Sequence, residues 1–531
     1  MALLWAIARY GASPFLRGTL RLGEASPSGP VRLRLALEHL GLTYVKLGQY
    51  LAMRFDILPP EVCRELGRLF EGVEPMPPAD VSEMIRLGLG QWPEQLYASF
   101  SAVPIASASV GQVHEARTFD GMKVAVKVQR KGIERVLRAD TSNLRALTRV
   151  VDAFHLLGAL SATELLAQFT AWTFRELDFV LEGRTAEQVG EKTLEFEKIP
   201  RVRWDLTCPV VLTLEFVEGL SMAQIVAEVE AHGLDGLALS HPEIDVGTVL
   251  HNTTFAILSQ IFVRGLFHGD PHPGNVLVQE GNTVAFVDFG IFGRLRPFDQ
   301  DILSGQIENL AVGRIDESVR YYRAQLSATD DSDIEGFQRE ARHVLQTWYD
   351  TSVRPGASLK ERHIGQYIGQ MVDISRRYRM RYDMSYVLYW RALNALDSTS
   401  LQLSPSFDMV GELRQFFAEI RPGPMRRLLE AVTDFRALAP LAGFGATEAP
   451  MIADLLARTV RGWPLDVYSI SSSAETDRTA GRRLRLLSGG LTSLSVLVLA
   501  VRLTTTATVR GITLAAAAAI LALALIGTVR G

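Results

Sequence analysis

The chain has 531 residues, of which 47% are hydrophobic, and its formal net charge is −4 at pH 7. A chain of this length is expected to form two or more units with sizeable apolar cores. The nearly balanced charge gives no support for nucleic acid as a partner. The two cysteines, Cys63 and Cys208, lie far apart without a metal-like neighbourhood, which favours a reducing compartment.

Residues 1–100 are predicted to be mainly helical. Apolar residues recur there at alternating four- and three-residue steps, which indicates one continuous helix face: Leu33, Leu37, Leu40, Tyr44, Leu47 and Leu51. Lys46 and Gln49 lie three residues apart on an adjacent stripe, and this spacing alone favours a solvated helix edge. Further along, Asp80 is predicted to be the N-cap of a helix that runs through Leu89.

Residues 103–116 are predicted to form a strand, a tight loop and a second strand. The loop consists of small residues, which let backbone N–H groups approach a phosphate but are stiffer than glycine: Ala106, Ser107, Ala108 and Ser109. The alternating segment 124–128 predicts a third strand with Lys127 embedded in it. Such a lysine is usually an edge residue facing water, but after a small-residue loop it is also typical of a lysine that binds nucleotide phosphates and a helix glutamate.

Residues 163–187 are predicted to be helical, and this segment carries the acidic residues Glu176, Asp178 and Glu182. Asp178 and Glu182 are four residues apart and are therefore expected on one helix face. Like charges stacked in this way destabilise a helix unless a cation faces them, so the pattern fits a solvated acidic face or a cation-facing one. Residues 210–219 then predict a strand ending in a glycine turn, which suits a hinge between two lobes.

The most informative motif is His268-Gly269-Asp270-Pro271-His272-Pro273-Gly274-Asn275, which is followed by two apolar runs and by Asp288-Phe289-Gly290. The runs flank a Gly-Asn turn and predict a β-hairpin. The spacing His-x-Asp-x-x-x-x-Asn followed by Asp-Phe-Gly is the one that protein kinases use around a phosphoryl-transfer centre. We therefore predict that Asn275 and Asp288 hold Mg²⁺ on the phosphates of ATP, and that Asp270 is catalytic beside the attacking hydroxyl.

The C-terminal part is predicted to be helical from residue 297 to about 438, with helices at 302–312, 334–348, 362–379 and 388–403. Two uncharged apolar segments end the chain, 486–501 and 512–529. As helices they would be about 24 and 27 Å long, slightly less than the roughly 30 Å hydrocarbon core of a bilayer. By length each could be a buried core helix, but as a pair they favour a membrane hairpin.

Four of these segments, in this order, resemble the signature motifs of the UbiB/AarF/ADCK family of atypical protein-kinase-like proteins. Lys46-Leu47-Gly48-Gln49 resembles the KxGQ motif, residues 106–109 the alanine-rich loop, Glu176-Leu177-Asp178 the ExD motif, and residues 268–275 the HGDPHPGN motif. Glu182 matches the family glutamate that would pair with the strand lysine, here Lys127. The likeness covers roughly residues 33–405, with a weaker match at 391–408.

The resemblance implies an α+β, two-lobed protein-kinase-like fold with an N-terminal helical extension and a C-terminal transmembrane hairpin. It also implies that Lys46, Gln49, Glu176 and Asp178 fold over the nucleotide pocket, where they would obstruct a protein substrate. This arrangement favours ATPase activity or phosphoryl transfer to a small molecule. The implied boundaries are 1–100 for the extension, 101–220 for the N-lobe with inserted helices, 221–440 for the helical C-lobe, 441–484 for a linker and 485–531 for the membrane segments.

The best-known role of the family implies support of ubiquinone biosynthesis at the cell membrane, with the kinase-like domain in the cytoplasm. The expected cofactors are ATP and Mg²⁺, and the expected partners are membrane lipid, quinone precursors and quinone-biosynthesis enzymes. A nucleotide-binding pseudokinase scaffold and a true protein kinase stay open as alternatives. The first is disfavoured by the full set Lys127, Asp270, Asn275 and Asp288, and the second by the missing Ala-Pro-Glu motif.

Overall fold

The computed structural model describes residues 28–54, 58, 60–70, 74–153, 161–328, 332–354, 356–382 and 384–420. The chain divides into two compact units, of which the first comprises Met1–Arg296 with Gln306–Phe416 and the second Pro297–Gly305 with Phe417–Gly531. All of the predicted site residues belong to the first unit. The predicted linker, 441–484, and the two apolar segments, 486–501 and 512–529, lie outside the described residues.

The described residues combine many helices with short strands. The helices are α1 Gly29–Leu40, α2 Leu42–Ala52, α3 Pro60–Gly67, α4 Pro78–Leu89, α5 Pro93–Leu96, α6 Ile133–Ala153, α7 Ala162–Glu176, α8 Phe179–Gly190, α9 Met222–Ser240, α10 Val246–Ser259, α11 Pro297–Ala311, α12 Ile315–Ala324, α13 Ile334–Ser352, α14 Leu359–Arg362, α15 Ile364–Arg377, α16 Met384–Leu403 and α17 Met409–Glu419. The strands are β1 Ser99–Ser107, β2 Gly111–Arg117, β3 Lys123–Gln129, β4 Glu197–Lys198, β5 Val211–Glu215, β6 Leu220–Ser221, β7 Leu266–His268, β8 Val276–Val278, β9 Val284–Phe286, β10 Phe292–Arg294, β11 Leu326–Ser327 and β12 Arg381–Tyr382.

The N-terminal apolar pattern forms two helices, α1 and α2, instead of the one continuous face that was predicted. Gly41 separates them with a φ of 100°, a backbone conformation that side chains other than hydrogen disfavour. Leu37 of α1 and Leu51 of α2 still share an apolar cluster with Leu66, while Tyr50 of α2 packs in a second cluster. Helix α2 therefore contributes side chains to two clusters, which the single predicted face did not indicate.

The start of α4 also differs from the prediction. Pro77 occupies the N-cap and Pro78 the first helical position, where a proline costs no hydrogen bond because that N–H has no helical partner. Asp80 lies inside the first turn, so the prediction of Asp80 as the N-cap is wrong. Its carboxylate accepts a hydrogen bond from Lys131 Nζ at 2.8 Å.

The first sheet is antiparallel with the order β1-β2-β3-β5, which places β3 between two neighbours. Val124, Val126 and Val128 are fully buried on one face of β3 and share an apolar cluster with residues of α4. Since side chains alternate along a strand, Lys127 lies on the opposite face. The alternative of an edge lysine facing water therefore does not hold.

The second sheet has the order β4-β9-β8-β6, and β7 pairs separately with β10. The predicted hairpin is confirmed, because β8 and β9 are antiparallel and are joined by a turn in which Gly281 and Asn282 have φ of 72° and 58°. Its open end places Asn275 and Val287 side by side, with Val287 N donating to Asn275 O at 2.9 Å. The hairpin thereby brings the two halves of the kinase-like motif together.

The C-terminal helices α11, α13, α15 and α16 confirm the four predicted helical segments with shifted ends. Helix α12 lies inside the region predicted to be helical but was not assigned separately, and its Tyr321 and Tyr322 are buried. Among the described residues, Val246–Arg264 is long and apolar enough to cross a membrane, with a mean hydropathy of 1.3, but 67% of its most apolar window is buried inside the protein. Together the sheets and helices form an α+β, kinase-like architecture.

Candidate functional site

Lys127, on β3, forms charged hydrogen bonds with two carboxylates from other parts of the fold. Its Nζ donates to Glu182 Oε1 at 2.7 Å and to Asp288 Oδ1 at 2.8 Å. The strand on which it lies is rigidly paired on both sides, opposite Val113 and Leu212. An ammonium held by two carboxylates on an interior strand can exchange one of them for a phosphate when a nucleotide binds.

Glu182 is carried by α8, which begins only after a break in the predicted acidic helix. Asp178 is the N-cap of α8, and its Oδ1 accepts hydrogen bonds from Val180 N at 3.1 Å and Leu181 N at 3.3 Å. The expectation that Asp178 and Glu182 share one face of a continuous helix is therefore wrong. The sequence held a signal for this, because aspartate is among the best N-cap residues.

The charges around Lys127 set the pKa values of the site. Burial alone would lower the pKa of Lys127, but the attraction of Asp288 and Glu182 raises it well above its usual value. Burial and the charge of Asp288 raise the pKa of Glu182 to about 7, against the opposing effect of Lys127. Burial would also raise the pKa of Asp288, yet Lys127 holds it below its usual range; since this side chain is 47% exposed, solvent screens part of the effect.

Three acidic side chains surround Gly290. A Cβ added there would lie 3.3 Å from Asp288 Oδ1, 3.6 Å from Glu176 Cγ and 3.8 Å from Glu182 Oε2. Asp288 itself has a φ of 64°, a conformation that is uncommon for residues other than glycine and is found most often at functional sites. The positive φ of Asp288 therefore directs its carboxylate towards Lys127. The absence of a side chain at Gly290 leaves room for the three carboxylate side chains around it.

The residues present suit a magnesium ion. Glu176 Oε2 and Glu182 Oε2 are buried without a hydrogen-bond partner among the described residues, and buried carboxylate oxygens of this kind fit a nearby cation. Mg²⁺ in nucleotide sites usually takes one or two protein oxygens and completes its shell with phosphates and waters. Asn275, just before β8, and Asp288, two residues after β9, both lie at the open end of the hairpin and can supply those oxygens. No group of three or more His, Cys, Asp or Glu with metal-site geometry occurs among the described residues.

The loop around Asp270 is organised by His268, which sequence reasoning did not assign a role. Its Nε2 donates to Val287 O at 3.1 Å, and its Nδ1 accepts from Asp270 N at 3.1 Å. Asn275 Nδ2 donates to Asp270 O at 3.2 Å. Burial lowers the pKa of His268, which keeps the ring neutral so that it can donate and accept at once. The Asp270 carboxylate also forms an ion pair with Arg391 at 2.8 Å.

The alanine-rich loop is shorter than predicted, because Ala106 and Ser107 are the last residues of β1 and only the following residues form the turn. Arg130 holds this turn in place: its Nε donates to Ala108 O at 3.0 Å and its Nη2 to Ser107 Oγ at 2.9 Å. The same Nη2 donates to Glu74 O at 2.6 Å. No motif pointed to Arg130, since its partners are backbone and hydroxyl oxygens that any sequence supplies.

Helix α2 contributes Lys46 and Gln49 from the interior, so the alternative of a solvated helix edge is wrong. Lys46 is 1% exposed, forms an ion pair with Glu176 and lies 5.1 Å from the ring centre of Trp172. Gln49 is 3% exposed, its Nε2 donates to Leu69 O at 2.8 Å, and its Oε1 accepts from Ser109 Oγ at 3.4 Å. The helix thus contacts the small-residue loop at one point and the glutamate beside Gly290 at another.

Of the predicted site residues, the structure brings three into direct contact, Lys127, Glu182 and Asp288. Asp270 and Asn275 contact each other on the neighbouring loop. The Lys46–Glu176 pair lies beside this group, since Glu176 and Glu182 both approach Gly290. Asp178, predicted to share the pocket cover, instead caps a helix.

A family model and similar named proteins agree on one family. Residues 68–317 match the ABC1 atypical kinase-like domain. The chain is 32% identical over 405 residues to a protein of Marinobacter nauticus named Probable protein kinase UbiB, and the alignment covers 73% of this chain and 69% of that protein. It is 29% identical to Protein ACTIVITY OF BC1 COMPLEX KINASE 3, chloroplastic, of Arabidopsis thaliana, over 73% of this chain and 53% of the plant protein. A solved structure of Rv3197 with erythromycin, from Mycobacterium tuberculosis, is similar at 23% identity and a TM-score of 0.48, over 71% of this chain and 91% of that one.

Proposed function

The chain belongs to the UbiB/ABC1 family of atypical kinase-like proteins, and from this premise we propose that it binds ATP with Mg²⁺ and transfers the γ-phosphoryl group to water or to a small molecule. The observation that carries the proposal is the bridge from Lys127 to both Glu182 and Asp288. A buried lysine needs compensation, but one carboxylate would suffice for one positive charge. The second carboxylate leaves the group with an excess negative charge that a bound magnesium ion would relieve, while Lys127 would face the phosphates.

Each residue of the proposed site has a distinct task. Lys127 would neutralise phosphate charge while Glu182 keeps its ammonium oriented. Asn275 and Asp288 would hold the magnesium ion, which supplies electrostatic stabilisation of the phosphates when it is bound. Asp270 would position the nucleophile or accept its proton. The backbone contacts of His268 and Asn275 with Asp270 support this task, because they fix the loop before any substrate arrives.

The position of α2 supports a small acceptor over a protein. Lys46 is paired with Glu176 beside Gly290, and Gln49 lies against Ser109 of the loop, so α2 packs next to both the N-lobe loop and the Asp-Phe-Gly segment. A helix fixed in this way would narrow the approach to the γ-phosphate. The sequence also lacks the Ala-Pro-Glu motif with which ordinary protein kinases build their substrate platform.

The cellular setting is proposed from the family resemblance. We propose that the protein supports ubiquinone or related isoprenoid-lipid biosynthesis at the cell membrane, with its kinase-like part in the cytoplasm. Its partners would be membrane lipid, quinone precursors and the enzymes that modify them. The apolar segments 486–501 and 512–529 support membrane attachment by composition. Full-length protein should sediment with membranes, whereas a chain that ends near residue 482 should stay in the supernatant; a freely soluble full-length chain would contradict the anchor.

Nucleotide binding and turnover can be tested together on the full-length protein in detergent and in lipid. ATP or ADP with Mg²⁺ should raise the melting temperature, because a ligand selective for the native state stabilises it. The Asp288→Asn variant should lose most of the magnesium dependence, whereas Asp205→Asn, which removes an exposed carboxylate of an ion pair, should not.

Labelled ATP then separates the alternatives. Release of phosphate to water or to a small acceptor supports the proposal, and label on a protein indicates a true protein kinase. Nucleotide binding without any turnover indicates a pseudokinase scaffold. An unchanged melting temperature at millimolar nucleotide with Mg²⁺ would count against the site itself.

A further inference from the structure

The side chain of Asp270 is held by an arginine from a distant helix. Arg391 Nη2 lies 2.8 Å from Asp270 Oδ1, and the two side chains are 21% and 18% exposed. At this distance and degree of burial the pair is a charge-assisted hydrogen bond that is only partly screened by solvent. The sequence motif placed Asp270 at the reaction centre but gave no indication of what orients its carboxylate.

The helix that carries Arg391 is tightly packed, which fixes the backbone end of this side chain. Its helix, α16, is embedded in the C-terminal core: the neighbouring side chains Tyr389, Trp390, Ala392 and Leu393 are between 0% and 2% exposed. The backbone of Arg391 therefore cannot shift far without moving packed aromatic residues. On the other side of the pair, the backbone of Asp270 is fixed by His268 Nδ1 and Asn275 Nδ2. Both partners are therefore held before any ligand binds.

Lys127, the lysine at the candidate reaction centre, is engaged elsewhere. It contacts Glu182 and Asp288. A bare carboxylate at position 270 would repel the negative γ-phosphate that the proposed function brings beside it. Arginine is suited to offset this charge, because its guanidinium stays protonated and its planar donors fix the carboxylate orientation.

We propose that Arg391 is a positioning residue for phosphoryl transfer: it holds Asp270 by one carboxylate oxygen, orients the other towards the nucleophile and lowers the repulsion between Asp270 and the γ-phosphate. The inference rests on the proposed function and deepens it, since it adds a residue from outside the kinase-like motifs to the reaction centre. Arg391 acts through Asp270 and is assigned no contact with the nucleotide.

The test compares turnover with nucleotide binding in the full-length protein. Arg391→Ala should lower kcat for ATP turnover by about tenfold or more, because a misplaced catalytic group costs rate steeply, while KM for ATP changes by less than about threefold. Arg391→Lys should recover part of kcat, since it keeps the charge but not the planar fork. The magnesium-dependent rise in melting temperature should persist in both variants, because Lys127, Asn275 and Asp288 are untouched.

A double variant and a control complete the design. Asp270→Asn combined with Arg391→Ala should be no slower than Asp270→Asn alone within about threefold, since residues that act as a unit are not additive. Arg377→Ala, which removes an exposed pair with Glu340 on the helical side, should leave kcat unchanged. The inference is overturned if Arg391→Ala turns over at the parent rate while Asp270→Asn is inactive, or if Arg391→Ala loses nucleotide binding together with turnover. A parent protein without any turnover overturns the proposed function and, with it, this inference.

Discussion

Two buried lysines occupy the candidate site, and they are compensated in different ways. Lys127 is 9% exposed and contacts two carboxylates, those of Glu182 and Asp288. Lys46 is 1% exposed and contacts one carboxylate, that of Glu176, while the face of Trp172 lies 5.1 Å away. An indole ring stabilises a cation through its quadrupole without adding a full negative charge.

The difference indicates which of the two lysines can exchange a carboxylate for another ligand. The group around Lys127 carries one negative charge in excess when both carboxylates are ionised, and Asp288 is half-exposed. Such a group can release Asp288 to a magnesium ion and keep Glu182 for the ammonium. The Lys46–Glu176 pair is balanced in charge, so no incoming charge is needed to neutralise it, although Glu176 Oε2 has no hydrogen-bond partner among the described residues. We therefore interpret Lys127 as part of the reaction centre, and Lys46 as the residue that holds α2 against Glu176.

The largest expected effect follows from removing the first lysine. Lys127→Met should abolish the nucleotide-dependent rise in melting temperature and should lower the free energy of unfolding by about 3 kcal/mol or more, because Glu182 is left buried without a cation. Urea unfolding measures the stability and a thermal scan with Mg²⁺ and ATP measures binding. Combining it with Glu182→Gln should restore part of the stability but none of the binding.

A matched control lies on the same strand. Lys123 is also a lysine of β3, but its ion pairs with Glu115 and Glu218 are partly exposed. Lys123→Met should change stability by less than about 1 kcal/mol, since surface ion pairs contribute little. Equal losses in the two variants would show that Lys127 is not distinguished by its carboxylates.

How much of this site the sequence predicts depends on the range of the interactions. Lys127 is predictable because it lies inside an alternating strand that follows a small-residue loop. Asn275 and Asp288 are predictable because they flank a hairpin at a fixed spacing, and a hairpin is a local structure. The burial of Lys46 is not predictable from helical periodicity, since its partner Glu176 lies 130 residues further along the chain. The contacts of Arg130 and Arg391 are missed for the same reason.

The errors in secondary structure have local causes. The break at Gly41 could have been suspected, because glycine interrupts helices, but an apolar pattern that continued across it favoured a single helix. The placement of Asp178 inside a helix ignored its preference for the N-cap. In contrast, the choice of Pro77 over Asp80 at the start of α4 follows from a run of prolines, whose fixed φ decides where the helix begins.

Removing Lys46 should lower stability without abolishing nucleotide binding. Lys46→Met should lower the free energy of unfolding by about 2 kcal/mol, because Glu176 loses its cation in a mostly buried place, yet ATP with Mg²⁺ should still raise the melting temperature. The loosened α2 should allow phosphate incorporation into the protein itself, which labelled ATP detects. Glu176→Gln should act in the same direction.

The control for this experiment is Lys131→Met, which removes two exposed ion pairs with Asp80 and Glu83 and should leave both readouts unchanged. If Lys46→Met abolished nucleotide binding as completely as Lys127→Met, the distinction between the two lysines would fail. Unchanged stability would instead show that Glu176 does not need the Lys46 ammonium, and that the pair contributes little to the free energy of unfolding.

Asp397 shows what happens to a buried carboxylate that has no lysine. It is 2% exposed, its Oδ2 accepts from Ile364 N at 2.7 Å, and burial raises its pKa to about 7. Since the folded state then binds more protons than the unfolded state between about pH 4 and pH 7, stability should fall as the pH rises through this window.

Asp397→Asn keeps the acceptor without the charge, so it should flatten this slope and raise the melting temperature at pH 8 by a few degrees. Asp373→Asn, at an exposed position of α15, is the control, and an identical slope in parent and Asp397→Asn would contradict the assignment.

The smallest effect is expected at the other contact of α2. Ser109 Oγ donates to Gln49 Oε1 at 3.4 Å, which is long for a hydroxyl donor, whereas Gln49 Nε2 donates to Leu69 O at 2.8 Å. Ser109→Ala should therefore cost less than about 1 kcal/mol, and Gln49→Leu should cost more, because it leaves the carbonyl of Leu69 without its donor in the interior. A double-mutant cycle in urea should give a coupling energy between positions 109 and 49 close to zero. A coupling as large as that between Lys46 and Glu176 would mean that α2 is held by the small-residue loop as firmly as by Glu176.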